Sequence, residues 1–152
     1  MIGDCHTAAL VSKQGSIDWL CLPHFDSPAA FAALLGTAEN GNWSISPAEP
    51  IRAIRRRYRE GTLILETEFE TESGSATLID CMVPSNETPQ VLRVVVGTKG
   101  QIRMKLVLVM RFDYGSVVPW VRRTENGISA IAGPDMLRLR TDVPLHLSLI
   151  HI

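Results

Sequence analysis

The sequence predicts an all-β protein, an antiparallel β-sandwich with one short helix near residues 28–35. Three observations predict it. Apolar and polar residues alternate with period two along several segments, as they do in strands with one buried face. Turn dipeptides punctuate those segments at short intervals: Gln14-Gly15, Asn40-Gly41, Glu60-Gly61, Ser73-Gly74, Lys99-Gly100 and Asn126-Gly127, with Gly133-Pro134-Asp135 closing the series. Asn-Gly is a strong hairpin signal because both residues tolerate positive φ. Finally, these alternating segments lack the apolar spacing of three and four that a long helix needs.

Each element follows from its local pattern. Residues 17–22 read as a strand that Pro23 ends, because proline has no N–H to give the ladder. The run PAAFAALL over 28–35 is rich in alanine and leucine. Ser27 stands as its N-cap, Pro28 as its first helical residue and Gly36 just past its end, so a short helix is predicted there. Next, Leu63, Leu65, Thr67 and Phe69 alternate with Ile64, Glu66, Glu68 and Glu70. Ile102, Met104, Leu106, Leu108, Met110 and Phe112 alternate with Arg103, Lys105, Val107, Val109, Arg111 and Asp113. Leu137 and Leu139 alternate with Arg138 and Arg140, which marks a last strand over residues 137–143.

Composition excludes several function classes. A chain of 152 residues that is 45% hydrophobic and 20% charged can build one core and is not a disordered tract. Its formal net charge of -1 gives no one-signed field to hold nucleic acid or an anionic membrane. No apolar run reaches the roughly 18 residues of a membrane span, and the N-terminus lacks the basic and apolar regions of a signal peptide. A cytoplasmic location is the default expectation. The cysteines, Cys5, Cys21 and Cys81, are odd in number and irregularly spaced, so free thiols are expected rather than a disulfide framework.

Candidate chemistry is sparse. Cys5-His6 and Cys21-x-x-His24 offer soft ligands, but a zinc site needs four that converge, and Cys21 lies in an apolar strand. No metal or cofactor is expected. Arg55, Arg56, Arg57 and Arg59 form a basic run, and Glu66, Glu68, Glu70 and Glu72 an acidic stripe on one strand face. A two-residue turn at Glu60-Gly61 would set Arg55 opposite Glu66, and cross-strand pairing would then account for both runs. Glycoside hydrolysis needs two carboxyl groups at a defined separation, and nothing in the spacing of Asp18, Asp26, Asp80 and Asp113 says that any two of them meet. Trp19, Trp43, Tyr114 and Trp120 are either core aromatics or sugar-stacking platforms. Phe25 falls outside the alternating pattern, and Asp26 beside it is placed to shape a turn.

A family resemblance rests on specific runs. These are Ile2-Gly3-Asp4, Thr7-Ala8-Ala9-Leu10-Val11-Ser12, Gly15-Ser16-Ile17-Asp18-Trp19-Leu20-Cys21-Leu22-Pro23 and Phe25-Asp26-Ser27-Pro28. Further runs are Arg56-Arg57-Tyr58, Leu65-Glu66-Thr67-Glu68-Phe69, Arg111-Phe112-Asp113-Tyr114-Gly115, Val118-Pro119-Trp120 and Ala132-Gly133-Pro134-Asp135. Together they resemble the trehalase-like N-terminal domain of bacterial family 15 glycoside hydrolases. The resemblance implies a β-sandwich followed in the same parent chain by a catalytic (α/α)6 barrel that carries both catalytic glutamates. It also implies inverting hydrolysis of an α-linked glucoside, as in trehalases and glucoamylases. No catalytic residue carries over, because the barrel is not in this sequence. The resemblance points to Phe25, Asp26, Tyr114 and Trp120 as a substrate-pocket rim or a barrel-docking edge. His24 departs from it, standing where an arginine is expected.

The expected domain is therefore an incomplete sandwich over residues 1–146, inactive alone, with its true start upstream of Met1. Residues 147–152, LSLIHI, match the translation of a sequencing adapter and are expected to be read-through; the alternative is an apolar strand end. A free-standing carbohydrate-binding or interaction sandwich is the competing functional reading.

Overall fold

The computed structural model describes residues 1–84 and 88–147. The proposed read-through segment, apart from Leu147, lies outside them. In chain order the strands are β1 Ile2–Gly3, β2 Ala8–Val11, β3 Ser16–Cys21, β4 Ala29–Phe31, β5 Asn42–Pro47, β6 Ala53–Tyr58 and β7 Leu65–Glu70. They continue with β8 Gly74–Val83, β9 Gln90–Gly100, β10 Met104–Val109, β11 Trp120–Thr124, β12 Gly127–Ala132 and β13 Asp135–Arg140. Every pairing is antiparallel. One sheet runs β1-β2-β3-β5-β10 with β4 on β3, a second β6-β7-β8-β9, and a third β11-β12-β13. No helix among the described residues is long and apolar enough to cross a membrane.

The sandwich follows from the alternation. In β7, Leu65, Thr67 and Phe69 are fully or almost fully buried, and the glutamates between them point to the other face. Ile45, Phe69 and Leu78 form one cluster between the first two sheets. A larger cluster joins Ile17, Leu20 and Phe31 of the first sheet, Leu65 and Met82 of the second, and Ile128 and Ala130 of the third. The third sheet thus closes the core with one face.

Two expectations are corrected. The helix over 28–35 does not form. Ala29, Ala30 and Phe31 are buried as an edge strand, with Leu20 opposite Phe31 and Cys21 opposite Ala29, and only Ala33–Leu35 make a turn of 3₁₀ helix. An eight-residue helix is marginal by itself, and here pairing with β3 outweighs its propensity. Ser27 does not cap it either: its Oγ accepts from the His24 N–H at 3.1 Å. The second correction is register. The β6–β7 connection is longer than two residues, so Arg57 faces Glu66 and Arg55 faces Glu68. The shift is even, so the charge pairing survives on the same face.

That pairing is uneven in depth. Glu66 is almost buried and accepts from Arg57 Nε at 2.7 Å and Arg59 Nη2 at 2.8 Å. These two guanidiniums hold its carboxyl below the usual glutamate range. Arg55 instead meets Glu68 and Glu70 in exposed, looser pairs.

The deepest charge pair lies between the sheets. Asp80 and Arg93 face each other across β8 and β9, and both side chains are 0% exposed. Arg93 Nε donates to Asp80 Oδ1 at 2.8 Å. Its other nitrogens reach the first sheet, donating to the Gly15 carbonyl at 2.6 Å and to the Trp43 carbonyl. The guanidinium also lies 5.1 Å from the Trp43 ring centre.

Two outcomes are expected. Asp80→Asn and Arg93→Met should each cost about 3–5 kcal/mol in urea unfolding, since each leaves an uncompensated buried charge. The double variant should cost far less than the sum; additive losses would mean the two groups act independently. For Glu66 the sign follows from its lowered pKa. Its contribution is complete above the ordinary value of about 4.5 and is lost as the pH falls through the lower folded value. The melting-temperature gap between the unaltered chain and Glu66→Gln should therefore hold constant at neutral pH and close only on acidification below about pH 4.5. A gap that does not respond to acid would remove Glu66 from the stabilising set.

Candidate functional site

Pro23 stops β3, and the chain turns out through residues 23–27. The turn is held by backbone bonds: Ser27 N–H donates to the His24 carbonyl at 3.1 Å and Phe25 N–H to the His6 carbonyl at 3.0 Å. Phe25 is 63% exposed, and Asp26 is exposed beside it. Among the described residues the Asp26 carboxylate makes no hydrogen bond, so the turn depends on Ser27 rather than on Asp26. Phe31, a neighbour that could have covered Phe25, is in the core, and Leu35 is exposed.

The second loop is built differently. Asp113, Tyr114 and Gly115 have φ values of 49°, 57° and 97°, three left-handed residues in succession. Two of them carry a Cβ, so the backbone is held away from its preferred conformations. The surroundings over-determine it. Phe112 and Val117 close a bridge across the loop, and Ser116 Oγ donates to the Asp113 carbonyl at 2.8 Å and to its carboxylate at 2.9 Å. A Cβ on Gly115 would lie 2.7 Å from the Asn40 side chain. The result is to lay Tyr114, 44% exposed, against Trp19 with ring centres 6.0 Å apart. Trp19 is half-buried over Cys21, Ala29 and Ala32.

Trp120, the first residue of β11, is 73% exposed. The structure joins Tyr114 to Trp19 and leaves Phe25, Asp26 and Trp120 each projecting separately. A cleft of about 230 Å³ lies between the turn and the third sheet, lined by Leu22, Pro23, Pro28, Phe112, Asp135 and Met136 among others. None of the four residues expected from the sequence lines it. Asp135 and Met136 were not singled out as site residues, although Asp135 closes the Gly133-Pro134-Asp135 turn signal. His6 and His24 approach with ring centres 6.1 Å apart. Among the described residues no three ligating groups come together around a metal position. Of the thiols, Cys5 is exposed, whereas burial pushes those of Cys21 and Cys81 upward.

Comparison with known proteins bears on this geometry. The family model described as "Trehalase-like, N-terminal" matches residues 1–144. "Trehalase 1" of Sulfolobus acidocaldarius is 34% identical over 145 residues, which is 94% of this chain and 25% of that protein. The trehalase of Mycobacterium tuberculosis is 37% identical over 173 aligned residues, 96% of this chain and 25% of its own length. That of Mycolicibacterium smegmatis is 39% identical over 82 residues. The chain thus spans about a quarter of the first two of these relatives, one archaeal and one bacterial. No solved structure matches it.

The strained loop makes a testable demand on Gly115. Gly115→Ala combines an unfavourable φ with a clash on Asn40, and should cost about 1–3 kcal/mol in thermal or urea unfolding. An unchanged midpoint would show that the loop is free to rearrange.

Proposed function

We infer, because this chain belongs to the trehalase-like N-terminal family, that it is the non-catalytic domain of an α-glucoside hydrolase of the trehalase or glucoamylase-like, inverting kind. Its work is to pack on and support a catalytic barrel in the same polypeptide. The observation that carries this reading is the match in length: almost all of this chain aligns with only a quarter of proteins named trehalase.

The surface gives it physical support. Strand β9 is an edge of its sheet, and Val94, Val95 and Val96 are all exposed, although Val95 sits opposite the buried Leu78 on the inner face. An edge strand this long and apolar is ordinarily paired or covered. Phe25, Tyr114, Val118 and Trp120 add further exposed apolar surface. In this reading the acid and base of an inverting reaction, set apart to admit a water, belong to the barrel. The domain over residues 1–146 supplies a scaffold, with Phe25, Asp26, Tyr114 and Trp120 as the docking edge or pocket rim. The alternative, a free-standing carbohydrate-binding sandwich, is favoured by the exposure of Trp120.

Activity separates these readings. The 152-residue chain is expected to release no glucose from trehalose or maltose. Turnover by the chain alone, abolished by replacing one of its own carboxylates, would overturn the assignment. In the longer protein, Asp26→Ala should lower kcat/KM about tenfold or more if the turn reaches substrate, and lower only the melting temperature if the turn is a docking edge. No change in either quantity would remove Asp26 from the site. Trehalose binding by the chain alone, lost in Trp120→Ala, would favour the alternative.

A further inference from the structure

The third sheet has two unlike faces, with Arg123 sharing the inner one and donating to the Leu145 carbonyl at 3.2 Å. Val121, Ile128, Ala130, Leu137 and Leu139 face the core. On the opposite face the register sets Trp120, Ile131 and Met136 in one row across the three strands. The next row is Arg122, Ser129 and Arg138, and the one after it ends in Arg140 beside Gly127. All three apolar residues of the first row are exposed, Met136 at 55%. Among the described residues, Arg122, Arg138 and Arg140 form no ion pair and no side-chain hydrogen bond. Arg122 instead lies over the Trp120 ring, 5.8 Å from its centre. Arg55 and Arg57 of β6 and the following Arg59, by contrast, are matched to glutamates of β7.

We propose that this face binds an acidic polypeptide segment carrying an aliphatic or aromatic anchor. The anchor would cover the Trp120–Ile131–Met136 row, and carboxylates would meet the guanidiniums. The spacings suit an extended chain. Arg122 and Arg138 are two strands apart, roughly 10 Å, and Arg138 and Arg140 two residues apart, roughly 7 Å, close to the i, i+2 repeat of a strand. Tryptophan and arginine are also the side chains that dominate protein-binding energetics. A neutral sugar would leave three cations unused. A nucleic acid would find phosphate partners on only part of the face and would leave the apolar row beside them uncovered by its backbone. The proposal shares Trp120 with the docking edge inferred above and deepens that reading; it is tested on the chain alone, so loss of peptide binding is read separately from any loss of catalysis.

The test uses the 152-residue chain and fluorescein-labelled probes read by anisotropy: a Glu-rich random copolymer of Glu and Tyr, poly-glutamate, and a single-stranded oligonucleotide. The copolymer should bind more tightly than poly-glutamate and weaken as salt rises from about 50 to 300 mM. Arg122→Glu/Arg138→Glu/Arg140→Glu should weaken it about tenfold or more, and Trp120→Ala several-fold. Lys105→Glu, on the first sheet, should leave it unchanged. These side chains are exposed, so melting temperatures should hold; if the triple variant unfolds, Arg138→Gln alone must still weaken binding. The proposal is overturned if the copolymer binds the triple variant as well as the unaltered chain. It is equally overturned if Lys105→Glu weakens binding as much, or if the oligonucleotide binds more tightly than the copolymer and loses binding in the same variants.

Discussion

One guanidinium ties the two large sheets together. Arg93 stands near an exposed edge, yet its side chain is fully buried, fixed to Asp80 within its own sheet and to two carbonyls of the other. Burying a charge is costly unless its donors are satisfied, and here all three guanidinium nitrogens donate, to one carboxylate and two carbonyls, with the group lying over an indole face. A dispersive contact tolerates small slips of one sheet over another, because it has no direction. This one does not: the Gly15 and Trp43 carbonyls can accept from Arg93 only where β3 and β5 sit at their observed offset from β9. The apolar clusters on either side of it, around Ile45–Phe69–Leu78 and around Ile17–Leu20–Leu65, supply most of the burial. Arg93 supplies the alignment.

The fold class was legible because it depends on period-two alternation, which is local. Residues 65–70 and 102–112 announced both their strands and their buried faces. What was illegible depends on partners far along the chain. The PAAFAALL run has helical composition, and nothing local reveals that β3 has a free edge for Ala29–Phe31 to occupy. The β6–β7 register turned on whether the loop after Tyr58 was short or long, and Glu60-Gly61 alone suggested the shorter one. The Asp80–Arg93 pair is the clearest omission. Asp80 was noticed as a lone carboxylate, but its partner is thirteen positions away in a strand whose valines gave no hint of a buried cation.

The site was less legible. Phe25, Asp26, Tyr114 and Trp120 are all exposed, and exposure by itself assigns none of them a role. Their assembly does not follow from exposure. Only Tyr114 has an aromatic neighbour, Trp19, and it reaches it through a strained loop that the sequence announced merely as a glycine. Strain of this kind persists where the surroundings enforce it, and it tends to be kept where a side chain must point in one direction. Here that direction is toward the half-exposed face of β3.

Charge shows most sharply how pairing, rather than composition, decides what a surface can do. The run Arg55–Arg57–Arg59 is the most basic stretch of the sequence and the obvious place to seek an anionic ligand. Folding sets it opposite Glu66, Glu68 and Glu70, and most of its charge is answered within the molecule. Arg122, Arg138 and Arg140 are scattered along the sequence, and Arg138 and Arg140 read as the polar half of one alternating strand. Folding gathers them on one face beside a row of apolar side chains, and no carboxylate among the described residues answers them. An exposed cation without a partner can remain solvated at little cost. The row beside it cannot be explained that way, because water is a poor solvent for Trp120 and Met136 together. A face that needs both its carbon covered and its charges matched is most economically satisfied by one partner that does both.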